Sequence, residues 1–400
     1  MVAACGRLVA GLGVAVLLGA CSTATRLRGP LSERQLMARE VLDSLTRTLQ
    51  AARSDRAFPG AYAIVGDTIG VIAEFGVGRL DWTWRAARPT RETLWDLASL
   101  TKVIGTTTAV AQLVERGAVR LDAPVQAYLP DWTGPGQDAV TIRHLLTHTS
   151  GLPSFRRYDT LTHAPDSLAR LLFRTPLEGT PGDRMVYSDI GAFVMGEVVT
   201  RVSGETFDGY LALHVFGPLR MRSTMFRPAD SLRRRIAPTE VDTLRGGLVR
   251  GFVHDERAHY LGGVASHAGL FSTAADVARF AEMMLRGGRI DSARVLHDST
   301  IALFTPYQDS ARHNRALGWQ KAPAPWAGQH ASSSAYGHTG FTGTSIAVDP
   351  ALGVYIVLLS NRVNPTRANN RIGAVRARVA DAIIPVIRRH RELTSHVENP

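Results

Sequence analysis

Apolar, β-rich runs stand at the two ends of this chain and helical patterning fills the middle, and this arrangement constrains the fold most. Gly60–Val65 and Ile69–Phe75 are β-rich and split by Gly66-Asp67, a hairpin signal. Strand patterning returns at Ala316–Gln320, Tyr336–Thr339, Ser345–Val348 and Val354–Ser360. Between them, residues from about 120 to 310 are mainly helical, with turns at Pro124, Gly134-Pro135-Gly136, Pro181-Gly182 and Gly287-Gly288. Val103–Arg116 reads as a helix ended by Gly117, and a closing helix starts near Arg371, with Pro385 expected to kink or end it. The expected class is therefore α+β. One sheet is built from N- and C-terminal strands, flanked by helices, with an inserted helical lobe at 120–310. A cleft between sheet and lobe is the natural site.

The first residues follow a different pattern. Arg7 precedes Leu8–Ala20, an apolar run of 13 residues. That is too short to span a bilayer, which needs ~20 helical residues, and right for a signal-peptide core. It ends in Leu18-Gly19-Ala20-Cys21, which resembles a bacterial lipobox. Cleavage before Cys21 and lipidation of its thiol are expected, with Ser22 favouring the outer membrane and a protein facing the periplasm. The lipid anchor on Cys21 would hold an otherwise soluble protein on the membrane. Cys5 would leave with the signal (1–21), so no disulfide is expected. Residues 22–31 read as a polar tether. Ser32 and Gln35 then fit a capping box, opening a helix over 33–53 with Leu36, Met37, Val41, Leu42, Leu45 and Leu49 as its apolar stripe. The main domain is expected over 55–390, with a polar tail at 391–400.

Hydrophobic residues at 45% and charged residues at 20% exclude disorder as the overall class. The net charge of +11 invites a nucleic-acid reading. The basic residues are scattered, however, apart from Arg233-Arg234-Arg235 and Arg388-Arg389-His390-Arg391, so no nucleic-acid partner is expected. His144 and His148 have zincin spacing, but Leu145 stands where the zincin Glu belongs, so no metal is expected. No G-x-S-x-G surrounds any Ser, which argues against an α/β-hydrolase, and no phosphate loop is present.

Three short motifs carry the chemistry. Ser99-Leu100-Thr101-Lys102 sets a hydroxyl and an amine three residues apart, on one helical face. A Ser needs a base to become a nucleophile, and a buried Lys can serve. Only Lys102 and Lys321 are lysines among 46 basic residues, which makes coincidence less plausible. The second motif is Tyr187-Ser188-Asp189. Read alone it is a core tyrosine with a helix-capping carboxylate, or a proton relay beside the Lys. The third is His338-Thr339-Gly340 followed by Phe341, at a strand end where a Gly lets backbone approach a ligand.

In this order, S-x-x-K, Y-x-[ND] and [KH]-T-G resemble the serine β-lactamase and penicillin-binding protein family, in its class C, carboxypeptidase and esterase-like branch. Ile142-Arg143-His144-Leu145-Leu146-Thr147-His148-Thr149-Ser150-Gly151-Leu152-Pro153 is the stretch that matches best. The resemblance implies an antiparallel β-lactamase/transpeptidase-like fold. It implies an acyl-enzyme on Ser99, Lys102 as general base or its partner, and Tyr187 as proton shuttle. The Ser99 and Phe341 N–H groups would form the oxyanion hole. Asp189, His338, Thr339 and Gly340 would bind substrate. Two departures matter. Asp189 stands where the family usually has Asn, which would favour a charged Lys102. His338 stands where Lys is common, so anion binding would weaken as pH rises. Val253–Ala258 and Gly262–Thr273 resemble a sub-branch with cell-wall carboxypeptidases and a muropeptide amidase, and His254, Asp255 and His267 could line its cleft. The implied substrates are cell-wall peptides or muropeptides cut at an amide, with no cofactor. Rival readings are a carboxylesterase, a β-lactamase, or a non-catalytic penicillin-binding sensor.

Overall fold

A computed structural model describes residues 31–398; the signal segment, Cys21 and most of the tether lie outside the described residues. The first helix, α1 (Glu33–Ser54), starts as its capping box predicts. Ser32 Oγ accepts from Gln35 N–H, and Gln35 Oε1 accepts from Ser32 N–H at 2.9 Å. Its buried stripe is Met37, Val41, Leu45, Leu49 and Ala52. Leu36 and Leu42, expected in the stripe, flank it and are largely exposed.

Strands β1 (Gly60–Asp67) and β2 (Gly70–Gly78) form the expected hairpin, but β1 runs through Gly66-Asp67 and the chain turns at 68–69. The reason is a contact from the far end of the chain. The Tyr355 ring crosses so close to Gly66 that a Cβ would overlap it, and Asp67 stays buried, accepting from Ile69 and Gly70 N–H. The helix expected at Val103–Arg116 forms as a π-helical stretch, Lys102–Thr107, leading into α2 (Thr108–Glu115). Helices α3 (Asp189–Ser203) and α4 (Ala274–Leu285) pack behind it.

The C-terminal half returns to strands. β3 (Gln320–Lys321) is shorter than expected, because Gly318 turns in the left-handed region at φ 78° with its Cα against Thr107. β4 (Tyr336–Thr339), β5 (Ser345–Asp349) and β6 (Val354–Ser360) follow the patterning closely. Helix α5 (Ile372–Glu398) continues through Pro385 rather than ending there. Ile383, Ile384 and Ile387 are buried around the proline, and their burial outweighs the lost helical hydrogen bond.

The six strands form one antiparallel sheet in the order β2-β1-β6-β5-β4-β3. Side chains alternate between its faces. Ala61, Ala63, Val65, Ile356 and Leu358 pack under α1 and α5. Tyr62, Ile64, Tyr355, Val357 and Leu359 face α4 and the helical lobe. Among the described residues no helix is long and apolar enough to cross a membrane. The consequence for the site is positional: the edge end of β4 faces the turn that opens the π-helical stretch.

Candidate active site

Ser99 sits on a tight turn held from three sides. Asp96 is buried, its carboxyl pushed upward by burial, and one oxygen accepts from Ala98 N–H at 2.8 Å while the other accepts from His254 N–H at 2.7 Å. Thr342 and Thr344 hydroxyls donate to the Asp96 and Leu97 carbonyls at 2.7 and 2.9 Å. These ties hold Ala98 at φ 46°, a strained conformation for a residue with a Cβ. Gly340 has no room for a Cβ, which would lie 2.4 Å from Leu97 O and 2.0 Å from Thr344 Oγ1. The glycine is what lets β4's end lie against the Ser99 turn. Neither the Ser99 nor the Phe341 N–H donates to another group among the described residues. Both are available to an oxyanion.

One helical turn beyond Ser99, the buried Lys102 Nζ lies 3.0 Å from Ser99 Oγ, 2.8 Å from the His267 carbonyl and 2.8 Å from Asp189 Oδ1. Burial disfavours its charge, but Asp189 and Tyr187 outweigh burial and hold it above the usual lysine range. Asp189 is correspondingly low: burial opposes its charge, and Lys102, His267 and Arg257 overcome that. The departure to Asp thus does what its charge predicts, and Lys102 rests as an ammonium. Tyr187 stands over the pair, with Lys102 Nζ 5.0 Å from its ring centre and its hydroxyl buried. His148 supports the ring at 4.5 Å and accepts from Ser188 N–H at 3.1 Å. Its role is packing.

The third motif differs from expectation in its charge. His338 is buried with its Nδ1 2.9 Å from Thr339 O. Burial first, then Arg315 and Lys102, hold it well below the usual imidazole range. Burial and these two cations favour its neutral form. Cations come instead from three arginines that the sequence reading missed: Arg362, which donates to Phe341 O, Arg376, which donates to Gly340 O and Thr344 O, and Arg315. Arg315 is 6% exposed, lies 5.3 Å over the Tyr187 ring, and its Nε and Nη1 have no hydrogen-bond partner among the described residues. It lines a cavity of about 400 Å³ together with Ser99, His338, Thr339 and Phe341. The Phe341 ring is half exposed, between His254 and the Arg362 guanidinium.

On the other side of Ser99 a cavity of about 360 Å³ is lined by Asp189, His254, Asp255, Arg257 and His267. The three residues expected to line the cleft, His254, Asp255 and His267, do so. Arg257, also missed, ties them together. Its Nη2 lies 2.9 Å from Asp189 Oδ2 and 2.8 Å from Asp255 Oδ2. In a chain where 44 of 46 basic residues are Arg, no local signal distinguishes Arg315, and Arg257 is marked only by lying in the Val253–Ala258 stretch. Among the described residues, no cluster of His, Cys, Asp and Glu forms a metal site.

Comparison with known proteins bears on the family and the fold. The Beta-lactamase family model matches residues 36–380. The N-acetylmuramyl-L-alanine amidase of Bacillus subtilis (strain 168) is 33% identical over 383 residues, 85% of this chain and 87% of that protein. A Salmonella agona protein named "Putative D-alanyl-D-alanine carboxypeptidase" is 32% identical over 314 residues, 71% of this chain and 72% of its own. Among solved structures, EstCE1, a hydrolase with promiscuous acyltransferase activity, superposes with a TM-score of 0.71 at 22% identity, covering 87% of this chain and all of that one.

Proposed function

This chain belongs to the Beta-lactamase family and is a serine hydrolase, and from that premise we propose that it cleaves an amide bond in cell-wall peptides or muropeptides through an acyl-enzyme on Ser99. Ser99 Oγ attacks the carbonyl carbon while its proton passes to Lys102, which must first be neutral. The Ser99 and Phe341 N–H groups hold the oxyanion. Tyr187 relays the proton to the departing amine as the C–N bond breaks. Water then attacks the acyl ester, releasing a carboxylic acid and restoring the Ser99 hydroxyl. Asp189 holds Lys102, while the ends of β4 and its loop, His338 to Phe341, flank the substrate.

One observation carries the choice of substrate class. Arg315 is a buried guanidinium that lines one cavity with Ser99, and its Nε and Nη1 have no hydrogen-bond partner among the described residues. Burying a cation without a partner is costly, and a substrate carboxylate would relieve that cost. A small neutral ester would leave it unmet. The names of the amidase and carboxypeptidase relatives point the same way. Arg315→Ala is expected to raise KM for a carboxylate-ended peptide by roughly 10- to 100-fold, the worth of a charge-assisted hydrogen bond. A neutral ester should be hydrolysed almost as before. Equal losses on both substrates would refute the carboxylate role.

The reading itself is tested by offering the purified protein muramyl peptides, D-alanyl-D-alanine peptides, penicillin and small esters. Products are followed by mass spectrometry, together with the mass of the acid-quenched protein. Peptide cleavage with a transient acyl mass on Ser99 is expected. Cleavage of esters alone would make it a carboxylesterase. Rapid loss of penicillin would make it a β-lactamase, and a permanent adduct without turnover a sensor.

We also propose that Cys21 anchors the protein to the outer membrane from the periplasmic side, on the strength of the Leu18–Cys21 pattern. Cys21→Ser should move the protein from the membrane to the soluble fraction on cell fractionation. Unchanged membrane association would overturn the anchor.

A further inference from the structure

Lys102 has two conflicting tasks. It must be held in place by Asp189, and it must give up its proton before it can accept the one from Ser99. A carboxylate 2.8 Å away secures the first and opposes the second. In an amide-bearing site this conflict would not arise, because an Asn carries no charge. Here a second cation is built into the contact. Arg257 Nη2 bridges Asp189 and Asp255, and its guanidinium carbon lies 5.3 Å from the Phe155 ring centre. It is 11% exposed at the side chain. Asp255 also lies 3.1 Å from His267 Nε2 and accepts from Ala258 N–H at 2.9 Å. The His267 carbonyl accepts from Lys102 at 2.8 Å. The chain of contacts Ser99–Lys102–Asp189–Arg257–Asp255–His267 therefore returns to Lys102 as a closed ring.

We propose that Arg257 is a positioning residue that offsets the surplus charge of Asp189, so that Lys102 is held in place yet can still surrender its proton. The charges agree with this. Lys102 and Arg257 are the permanent cations set against Asp189 and Asp255, and His267 adds attraction for both carboxylates from its place 3.1 Å from Asp255. Removal of Arg257 would leave two carboxylates facing Lys102 with only the His267 ring beside them, and the proton on Lys102 would be held more tightly. The other groups facing this cluster do not replace it. Tyr187 adds attraction for the Lys102 proton. His148 and His338 are both held neutral by burial. Arg315 lies on the far side, against Tyr187. Glu256 is paired with Arg367 at 2.7 Å.

The inference rests on the acyl-enzyme reading, and its test separates the two. The pH profile of kcat/KM is measured on one chromogenic ester or peptide for the wild type, Arg257→Gln, Arg257→Lys, Asp189→Asn and the double variant Asp189→Asn/Arg257→Gln. Ser99→Ala serves as the control. The rising limb reports deprotonation of Lys102. Arg257→Gln should move that limb upward by about one pH unit, the size expected of one unit charge a few ångströms beyond the carboxylate. Asp189→Asn should move it downward. The double variant, which removes one charge of each sign, should return close to the wild-type position, and Arg257→Lys should stay there. A limb unmoved in Arg257→Gln overturns the proposal, even if kcat falls, because that is the signature of a merely structural contact. So does a double variant that is not restored. If Arg257→Gln fails to fold, the double variant and Arg257→Lys still decide the matter, by restored or unrestored limb position. Activity that survives in Ser99→Ala would instead sink the acyl-enzyme reading.

Discussion

Ser99→Ala is expected to lower turnover by on the order of 10⁴-fold or more, with no loss of thermal stability. The first part follows from the chemistry: no other side chain can take the acyl group, and what remains is the contribution of the oxyanion donors and binding alone. The second follows from the contacts. Among the described residues the Ser99 hydroxyl has Lys102 Nζ as its partner, and the turn is held by Asp96, Thr342 and Thr344 instead. A melting curve that overlays the wild type, with turnover and the acyl mass both gone, is the expected result. Activity near the wild-type level would remove Ser99 from the mechanism.

Lys102→Ala should behave differently. A loss on the order of 10³-fold in kcat is expected, because nucleophile and base act as a unit. Here stability should fall as well. The ammonium serves Ser99, Asp189 and the His267 carbonyl at once, and its removal leaves a half-buried carboxylate with Arg257 as its remaining close cation. The sign with pH follows from Asp189. Its carboxyl is held below the ordinary range despite burial, by Lys102, His267 and Arg257. Its stabilising contribution is therefore complete above the ordinary carboxylate range and is lost as pH falls through the depressed value. Without Lys102 the depression shrinks, so the variant should lose stability at a higher pH than the wild type on acid titration. A mild kcat loss would make Tyr187 the principal base.

Much of this was legible in the residues. The strands at both chain ends, the capped first helix and the three motifs all rest on local patterns: period-2 alternation, a Ser-x-x-Gln cap, Gly at a strand end. Where the expectation missed, a distant residue intervened. Gly66 is not the turn because Tyr355 crosses it, and Ala316–Trp319 is not strand because Gly318 packs on Thr107. The same holds at the site. That Asp189 charges Lys102 follows from residue type. That His338 is neutral follows only from burial and from Arg315. Arg315 and Arg257 lie 213 and 155 residues beyond Lys102 (315 − 102 and 257 − 102); Arg257 falls inside the Val253–Ala258 stretch, but its pairing with Asp189 is visible only in the fold.

The pairing of the first strand with the last has a consequence for timing. Ala61 lies opposite Ser360, and the catalytic turn is locked by hydroxyls from Thr342 and Thr344. A chain emerging from the ribosome therefore carries Ser99, Lys102 and Tyr187 long before it carries the segment that aligns them. Such a long-range closure slows folding. The three motifs come into register only when the last strand closes on the first.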